Sequence, residues 1–261
     1  RRLNQFTGPF ILRRMKSEVL RELPPKTENV RRVELETEQR KLYLAAVVDA
    51  REKLRAAKPE DKMTVFAVLM RLREICCDPR LVAENWTGSS AKLDACLELV
   101  TEAVAGGHRI LLFSQFTSML ELLAKRLDEA GVSHFTLQGS TPKPVRAEQV
   151  RRFNQGEADV FLISLRAGGT GLNLTAADIV IHYDPWWNLA AQNQATDRAY
   201  RIGQRNPVQV YRLIAQDTIE EKIVELQQAK QSLADTVTGG ADGAILSMNP
   251  EQLLQLLGEE A

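Results

Sequence analysis

The sequence is poor in cysteine and has no long apolar run, and both absences exclude whole classes of protein. Three cysteines among 261 residues are too few for a disulfide framework. Cys76 and Cys77 are adjacent and so lack the two-residue gap of a metal-binding knuckle, while the three histidines are scattered. No apolar stretch approaches the roughly 18 residues of a membrane span. We therefore expect a reducing compartment, no structural metal and no membrane association.

Three further features are missing. The sequence has no G-x-x-x-x-G-K-[ST] phosphate-binding loop. It also has neither an initiator methionine nor the apolar stretch of a signal peptide near its first residue, Arg1. These features predict that the chain is a section from the interior of a longer protein.

The net charge is zero, but the charges are unevenly distributed. Residues 1–58 carry 15 basic and 8 acidic side chains, residues 59–215 carry 17 of each, and residues 216–261 carry 2 and 9. Zero net charge argues against a uniformly basic coat for nucleic acid. The basic first part is consistent with an anionic partner and, equally, with solvated helix faces.

The remaining composition, 44% hydrophobic and 26% charged, indicates one or two globular domains with a substantial core. From residue 93 onward, short apolar segments alternate with segments of helical periodicity. Such strands, apolar on both faces, are typical of a parallel sheet covered by helices on both sides, a doubly wound α/β domain. The predicted strands are residues 110–113, 134–137, 160–164, 179–182 and 209–213, and the predicted helices are residues 93–104, 118–130, 142–154, 189–201 and 219–233.

The part of the chain before residue 85 has mostly helical periodicity. There we predict helices over residues 11–22, 38–57 and 63–75, a short strand over residues 27–35 and a polar linker over residues 85–90. Beyond the last long helix, residues 238–243 indicate a flexible break before a short leucine-rich tail.

In a doubly wound sheet the loops after the strands line the ligand crevice, and four segments of this chain have unusual residues. Ser114-Gln115 is a polar pair at the end of a strand, with a simple helix cap by Ser114 as the alternative. Gln138-Gly139-Ser140-Thr141 leads into a helix that starts with Pro142, and exposed N–H groups and hydroxyls at a helix start suit a phosphate. A well-capped turn with Thr141 as the N-cap explains this segment equally well.

The third segment, residues 164–174, is rich in glycine. Gly168, Gly169 and Gly171 are three glycines in four residues, which lets the backbone approach a ligand closely. The segment lacks the glycine spacing of the dinucleotide-binding fingerprint. A wide turn without a ligand is the alternative.

The fourth segment carries Gln194, Arg198 and Arg201. Positions three and four apart share one face of a helix, so we expect these side chains to project together. Two guanidinium groups and an amide could hold a triphosphate, because the arginine fork binds phosphate oxygens bidentately and keeps its charge. The alternative is surface ion pairing, for example between Asp197 and Arg201. Together, the four segments predict a site for a polyphosphate, for nucleic-acid backbone, or for both on one rim of the sheet.

The order of these motifs resembles that of one family. The resemblance is carried by Ser114-Gln115-Phe116, Gly139-Ser140-Thr141, Ala167-Gly168-Gly169-Thr170-Gly171-Leu172-Asn173-Leu174, Asp184-Pro185-Trp186-Trp187-Asn188 and Arg201-Ile202-Gly203-Gln204. In this order and spacing they closely resemble the second RecA-like lobe of the Swi/Snf family of DNA-dependent ATPases, in helicase superfamily two. Similar strings at residues 76–79, 90–93 and 218–223 extend the resemblance over about residues 8–235.

The resemblance implies a RecA-like α/β fold: a parallel sheet with helices on both faces, preceded by a family-specific helical insertion and closed by a C-terminal brace helix. It also implies a division of the chain. Residues 1–29 would lead in from a first lobe, residues 30–90 would form the helical insertion, residues 91–216 the second RecA-like lobe, and residues 217–261 the brace helix and an acidic tail.

The resemblance further implies roles for individual residues. Arg198 and Arg201 would be arginine fingers, which reach the γ-phosphate of ATP and stabilise charge during phosphoryl transfer. Gln194 would lie near the same nucleotide. The loop that couples ATP to DNA would comprise Gly169, Gly171 and Asn173, and the DNA backbone would be contacted by Gln115, Ser140, Thr141, Ser164, Arg166 and Trp187.

In this family the phosphate loop and the acids that hold Mg²⁺ lie in a first lobe upstream, so ATP and Mg²⁺ would be bound mainly there. The expected partners are that lobe, double-stranded DNA and a DNA-bound protein complex. We expect a monomeric motor whose movement is largely independent of sequence, because it grips the DNA backbone. An arginine finger acts on a nucleotide held elsewhere, so we expect the 261-residue chain alone to hydrolyse essentially no ATP.

Two other functions stay open on the sequence. The chain could belong to a strand-separating or RNA helicase of the same superfamily, although the Swi/Snf-like strings argue against this. It could also be a non-catalytic α/β binding module that has kept only the fold, although the presence of Gln194, Arg198 and Arg201 argues against a loss of the catalytic residues. The compact insertion favours a bacterial host and a DNA-associated cytoplasmic location; in a eukaryote the location would be nuclear.

Overall fold

A computed structural model describes residues 23–165, 167, 171–234 and 248–258. The predicted helix over residues 11–22 and the predicted break over residues 238–243 lie outside these ranges. The strands are β1 (Lys26–Val33), β2 (Ile110–Ser114), β3 (His134–Leu137), β4 (Val160–Ser164), β5 (Ile179–His182) and β6 (Val208–Ala215). The helices are α1 (Thr37–Ala56), α2 (Lys62–Cys77), α3 (Ala91–Ala105), α4 (Thr117–Glu129), α5 (Lys143–Asn154), α6 (Leu189–Thr196), α7 (Ile219–Ala234) and α8 (Pro250–Leu256).

The six strands form one parallel sheet in the order β1-β6-β5-β2-β4-β3. Every residue of β2, β4 and β5 is buried, which is why these strands are continuous apolar runs in the sequence. Within the described ranges, no helix is long and apolar enough to cross a membrane.

Alternate residues of each strand face opposite sides of the sheet, and both sides are covered by helices. In β2, Ile110 and Leu112 belong to the apolar core formed with α3 and α4. Leu111 and Phe113 belong to the core formed with α5 and α6. The predicted RecA-like arrangement, a parallel sheet with helices on both faces, is therefore confirmed.

A third apolar core lies beside the sheet, where α1 packs against α2. Tyr43, Leu54 and Leu69 are buried in it, together with Leu253 of α8. The leucine-rich tail is thus a short helix packed against α1 and α2, and it begins with a capping box between Asn249 and Gln252.

The strand predicted over residues 27–35 is confirmed, and it lies at the edge of the sheet. β1 pairs in parallel with β6 along its whole length, from Lys26 opposite Val208 to Val33 opposite Ala215. It therefore crosses the proposed boundary between residues 29 and 30. Because ladder hydrogen bonds tie the strand to β6, its residues belong with the sheet rather than with the helical insertion; the rest of the proposed division stays a prediction.

The helix predicted over residues 189–201 is wrong at its end. α6 ends at Thr196, and the next residues form tighter turns, with Arg198 N donating to Ala195 O at 3.1 Å. The side chain of Gln204 accounts for this end, because its Nε2 donates to Ala199 O at 3.2 Å and to Ala177 O at 2.7 Å. These bonds draw the chain beyond α6 toward the residues that precede β5.

A fully buried ion pair connects α3 with the first turn of α7. Lys92 Nζ lies 2.6 Å from both carboxylate oxygens of Glu220. Glu220 Oε2 also accepts a hydrogen bond from Ala215 N at 2.8 Å, so the pair anchors α7 at the end of β6. Both side chains are completely excluded from solvent.

Candidate nucleotide and nucleic-acid site

The parallel sheet brings the carboxyl ends of its strands to one edge, here called the carboxyl rim. Ser114 ends β2 and Ser164 ends β4, and these two residues are opposite each other in register. Gln138 follows β3 directly, and Asp184 stands two residues beyond β5. The first three of the four predicted segments therefore start at this rim.

Asp184 is a buried carboxylate that joins two loops of the carboxyl rim. Its Oδ1 accepts hydrogen bonds from Ser114 Oγ at 2.6 Å and from Gln115 N at 3.2 Å, and its Oδ2 lies 3.2 Å from Arg73 Nη2. Burial raises the pKa of the Asp184 carboxyl, while the Arg73 guanidinium opposes that rise. Ser114 also accepts from Phe116 N at 3.1 Å, so its hydroxyl is engaged inside the protein.

Gln115 and Trp187, two predicted DNA contacts, lie on the two loops that Asp184 joins. Gln115 is half-buried, and its Nε2 has no hydrogen-bond partner among the described residues. Trp187 is also half-buried, with its ring centroid 6.4 Å from that of Phe66 and 6.2 Å from that of Trp186. Both side chains are thus partly exposed, while the amide nitrogen of Gln115 is itself buried.

The predicted segment after β3 is a closed turn with an exposed tip. Thr141 N donates to Gln138 O at 3.1 Å, and Thr141 Oγ1 accepts from Gln138 N at 3.0 Å. The predicted N-cap is therefore wrong: the hydroxyl of Thr141 serves the turn, and Pro142 stands at the N-cap of α5. Gly139 and Ser140 are exposed at the tip.

The glycine-rich segment is described in part, since Arg166 and Gly169 lie outside the described residues. Ser164 is only 3% exposed, which contradicts a direct role for its hydroxyl at the surface. Further along, Leu172 and Leu174 are buried in the core while Gly171 and Asn173 are exposed.

Helix α5 holds the glycine-rich segment through two side chains that the sequence did not single out as functional. Arg146 Nη1 donates to Ala167 O at 3.3 Å. Asn154 Nδ2 donates to Asn173 O at 2.8 Å, and its Oδ1 accepts from Ala176 N at 3.3 Å. No sequence pattern marks Asn154, because its hydrogen-bond partners come later in the chain, after β4.

The fourth predicted segment lies beside the glycine-rich segment rather than directly after a strand. Arg198 O accepts a hydrogen bond from Leu174 N at 3.1 Å. Because α6 ends at Thr196, the expectation that Gln194, Arg198 and Arg201 share one helical face is wrong. Arg198 is 5% exposed, whereas Gln194 and Arg201 are exposed.

Arg198 and Arg201 place two positive charges close together, and the nearby Asp197 carboxylate acts on Arg198 without forming an ion pair with it in the described chain. In the described part of the chain, neither guanidinium has an ion-pair partner, and the buried Nε of Arg198 has no hydrogen-bond partner. Burial lowers the pKa of Arg198, and the positive charge of Arg201 lowers it further, while Asp197 opposes both. Such a site fits an anion, because a phosphate would supply acceptors and negative charge together.

The described residues do not include a cluster of metal-binding side chains. Among them, no group of three or more His, Cys, Asp or Glu side chains could hold a metal ion.

The parallel sheet, the glycine-rich segment and the paired arginines define a class, the RecA-like helicase C-terminal domain. The family described as "Helicase conserved C-terminal domain" matches residues 91–203, and the family described as "SNF2-related domain" matches residues 1–81. The chain belongs to the SWI/SNF family of ATP-dependent helicases and is a C-terminal helicase region of that family.

Similar proteins occur in bacteria, archaea and animals. An "uncharacterized ATP-dependent helicase" of Mycoplasma pneumoniae is 39% identical over 255 residues, which is 97% of this chain and 25% of the relative. The mouse SWI/SNF-related regulator of chromatin subfamily A member 1 is 38% identical over 90% of this chain and 24% of its own length. The chain thus spans about a quarter of these relatives.

A solved structure has a closely similar fold. The Sulfolobus solfataricus SWI2/SNF2 ATPase core in complex with dsDNA aligns with a TM-score of 0.76 at 31% identity. The alignment covers 100% of this chain and 56% of that chain.

Proposed function

We propose that the chain is the C-terminal motor lobe of an ATP-driven translocase on double-stranded DNA. Arg198 and Arg201 act as arginine fingers on ATP whose phosphates are bound by an upstream lobe of the same protein. ATP binding draws the two lobes together and hydrolysis releases them, so that alternating grip on the DNA backbone moves the motor.

The close pair of Arg198 and Arg201, neither of which forms an ion pair within the described chain, is the observation that carries the proposal. A buried guanidinium nitrogen without a partner is costly, and the cost is relieved when an anion accepts its hydrogen bond. Arg201, being exposed, is free to reach a phosphate that a second lobe presents. Gln194, Gly169, Gly171 and Asn173 are proposed to lie next to the same nucleotide.

The polar side chains of the carboxyl rim are proposed as the DNA contacts. Gln115 Nε2 has no hydrogen-bond partner within the described chain, and Ser140 is exposed at the tip of the turn, with half-buried Thr141 next to it. Arg166 and Trp187 extend the proposed surface. Buried Ser164 is left out of it. The dsDNA in the Sulfolobus ATPase core supports this choice of ligand.

The proposal assigns ATP, and any Mg²⁺ that accompanies it, mainly to the upstream lobe. The described residues offer no carboxylate cluster for a metal, so no step proposed for this chain passes through one. The chain alone is accordingly expected to be inactive in ATP hydrolysis.

The proposal predicts movement along duplex DNA without strand separation. We expect the longer protein that contains this chain to displace the third strand of a DNA triplex in an ATP-dependent manner, and to leave a forked duplex unseparated. Backbone contacts should make the rate nearly independent of sequence and strongly dependent on salt. Separation of the forked duplex without triplex displacement would favour an unwinding helicase instead.

A further inference from the structure

Arg73, on helix α2, is a fully buried charged residue that sequence reasoning did not single out. It follows Leu69 and Leu72 at core-facing positions of the helix, and its own side chain is inaccessible to solvent. A buried guanidinium is unfavourable unless it is paired, so the residues that contact the Arg73 guanidinium indicate its role.

All partners of the Arg73 side chain in the described chain lie on the two loops of the carboxyl rim that Asp184 joins. Its Nη2 lies 3.2 Å from Asp184 Oδ2 and also donates to Pro185 O. Its guanidinium carbon lies 4.1 Å from the ring centroid of Trp187 and 5.6 Å from that of Phe116. The guanidinium therefore packs against one aromatic ring from each loop while it bonds to the carboxylate that joins them.

The contacts of Arg73 and Asp184 reach both proposed DNA-binding residues on these two loops, Gln115 and Trp187. Asp184 accepts from Gln115 N, which fixes the backbone from which the Gln115 side chain extends. Trp187 packs directly on the guanidinium. Only arginine combines a charged fork with a flat face that packs on aromatic rings, so lysine would keep the charge and lose the geometry.

We propose that Arg73 is a positioning residue for the DNA-binding rim: without touching DNA, it holds the loops of Gln115 and Trp187 in the arrangement that binds the duplex. The inference rests on the proposed function, because it assigns these two loops to DNA. Under this proposal, helix α2 contributes to DNA-stimulated ATP hydrolysis through Arg73. The helix pair α1–α2 is then functionally connected to the DNA-binding rim.

The test measures ATP turnover of the longer protein against DNA concentration for R73K, D184N and the matched control R71K. Arg71 lies two residues away on the same helix and is exposed. We expect R73K and D184N to raise the DNA concentration for half-maximal stimulation about tenfold or more, since misplaced contacts lose much of their effect. Turnover without DNA should change less than about twofold, and R71K should behave as wild type.

The half-maximal DNA concentration of the double variant R73K/D184N should not exceed that of the more impaired single variant, because the two residues act through one contact. Thermal unfolding of each variant, together with turnover without DNA, identifies a purely structural role. Equal losses of turnover with and without DNA, at an unchanged half-maximal DNA concentration, would overturn the inference. So would an R73K protein with the DNA response of R71K. If the wild-type protein shows no DNA response at all, the proposed function itself fails.

Discussion

Replacing Arg201 with alanine in the longer protein should lower the turnover number for ATP by about 10³-fold or more. The expected loss is large because an arginine finger acts on charge that develops at the transferred phosphate, where each hydrogen bond is strengthened by exclusion of water. Arg201 is exposed and has no ion-pair partner among the described residues, so the substitution breaks no ion pair within them. The affinity for DNA should change less than about twofold, because the rim is untouched.

Arg205 provides a matched control for this experiment. It is an exposed arginine four residues further along the same segment, beyond the turn at Gly203. R205A should hydrolyse ATP at the wild-type rate. An R201A protein that also hydrolyses ATP within a few fold of wild type would show that the finger assignment is wrong.

Replacing Lys92 with methionine should destabilise the chain by about 3–5 kcal/mol, because it leaves the buried carboxylate of Glu220 without its counterion. Glu220 must remain an acceptor for Ala215 N, so it cannot be relieved by moving into solvent. Urea denaturation followed by circular dichroism measures the change in the free energy of unfolding. The double variant K92M/E220Q should recover part of the loss, since glutamine keeps an acceptor without the charge.

The exposed pair of Lys222 and Glu225, 3.1 Å apart on the same helix as Glu220, serves as the control. K222M should cost less than about 1 kcal/mol, because solvent screens an exposed pair. Equal costs for K92M and K222M would contradict the importance assigned to the buried pair.

The sequence predicts the sheet well because its central strands are buried on both faces. Two predicted strands, residues 160–164 and 179–182, coincide with the buried strands β4 and β5, and the predicted strand over residues 134–137 coincides with the half-buried edge strand β3. A continuous apolar run between helical segments has few other interpretations. The edge strand β1 was also predicted, but its polar, largely exposed residues do not reveal that it pairs with β6 at the other end of the chain.

The site was harder to predict, since its geometry depends on side chains that are distant in sequence. Arg73 and Asp184 are 111 residues apart, and Lys92 and Glu220 are 128 apart, so no local pattern connects them. The end of α6 was missed for a related reason. Helical spacing continued to Arg201, but the Gln204 side chain bonds to Ala199 O and Ala177 O. The helical periodicity of a short sequence segment does not reveal hydrogen bonds that a side chain outside that segment makes in the folded protein.

The central claim is that this chain supplies arginines to ATP whose phosphates another lobe holds. The most direct measurement compares ATP turnover, with saturating double-stranded DNA, for three proteins: the 261-residue chain alone, the proposed upstream lobe alone, and the longer protein that joins them. The account predicts that each part alone is slower than the longer protein by about 10³-fold or more. DNA-stimulated hydrolysis by the chain alone, or by the upstream lobe alone at the rate of the longer protein, would contradict it.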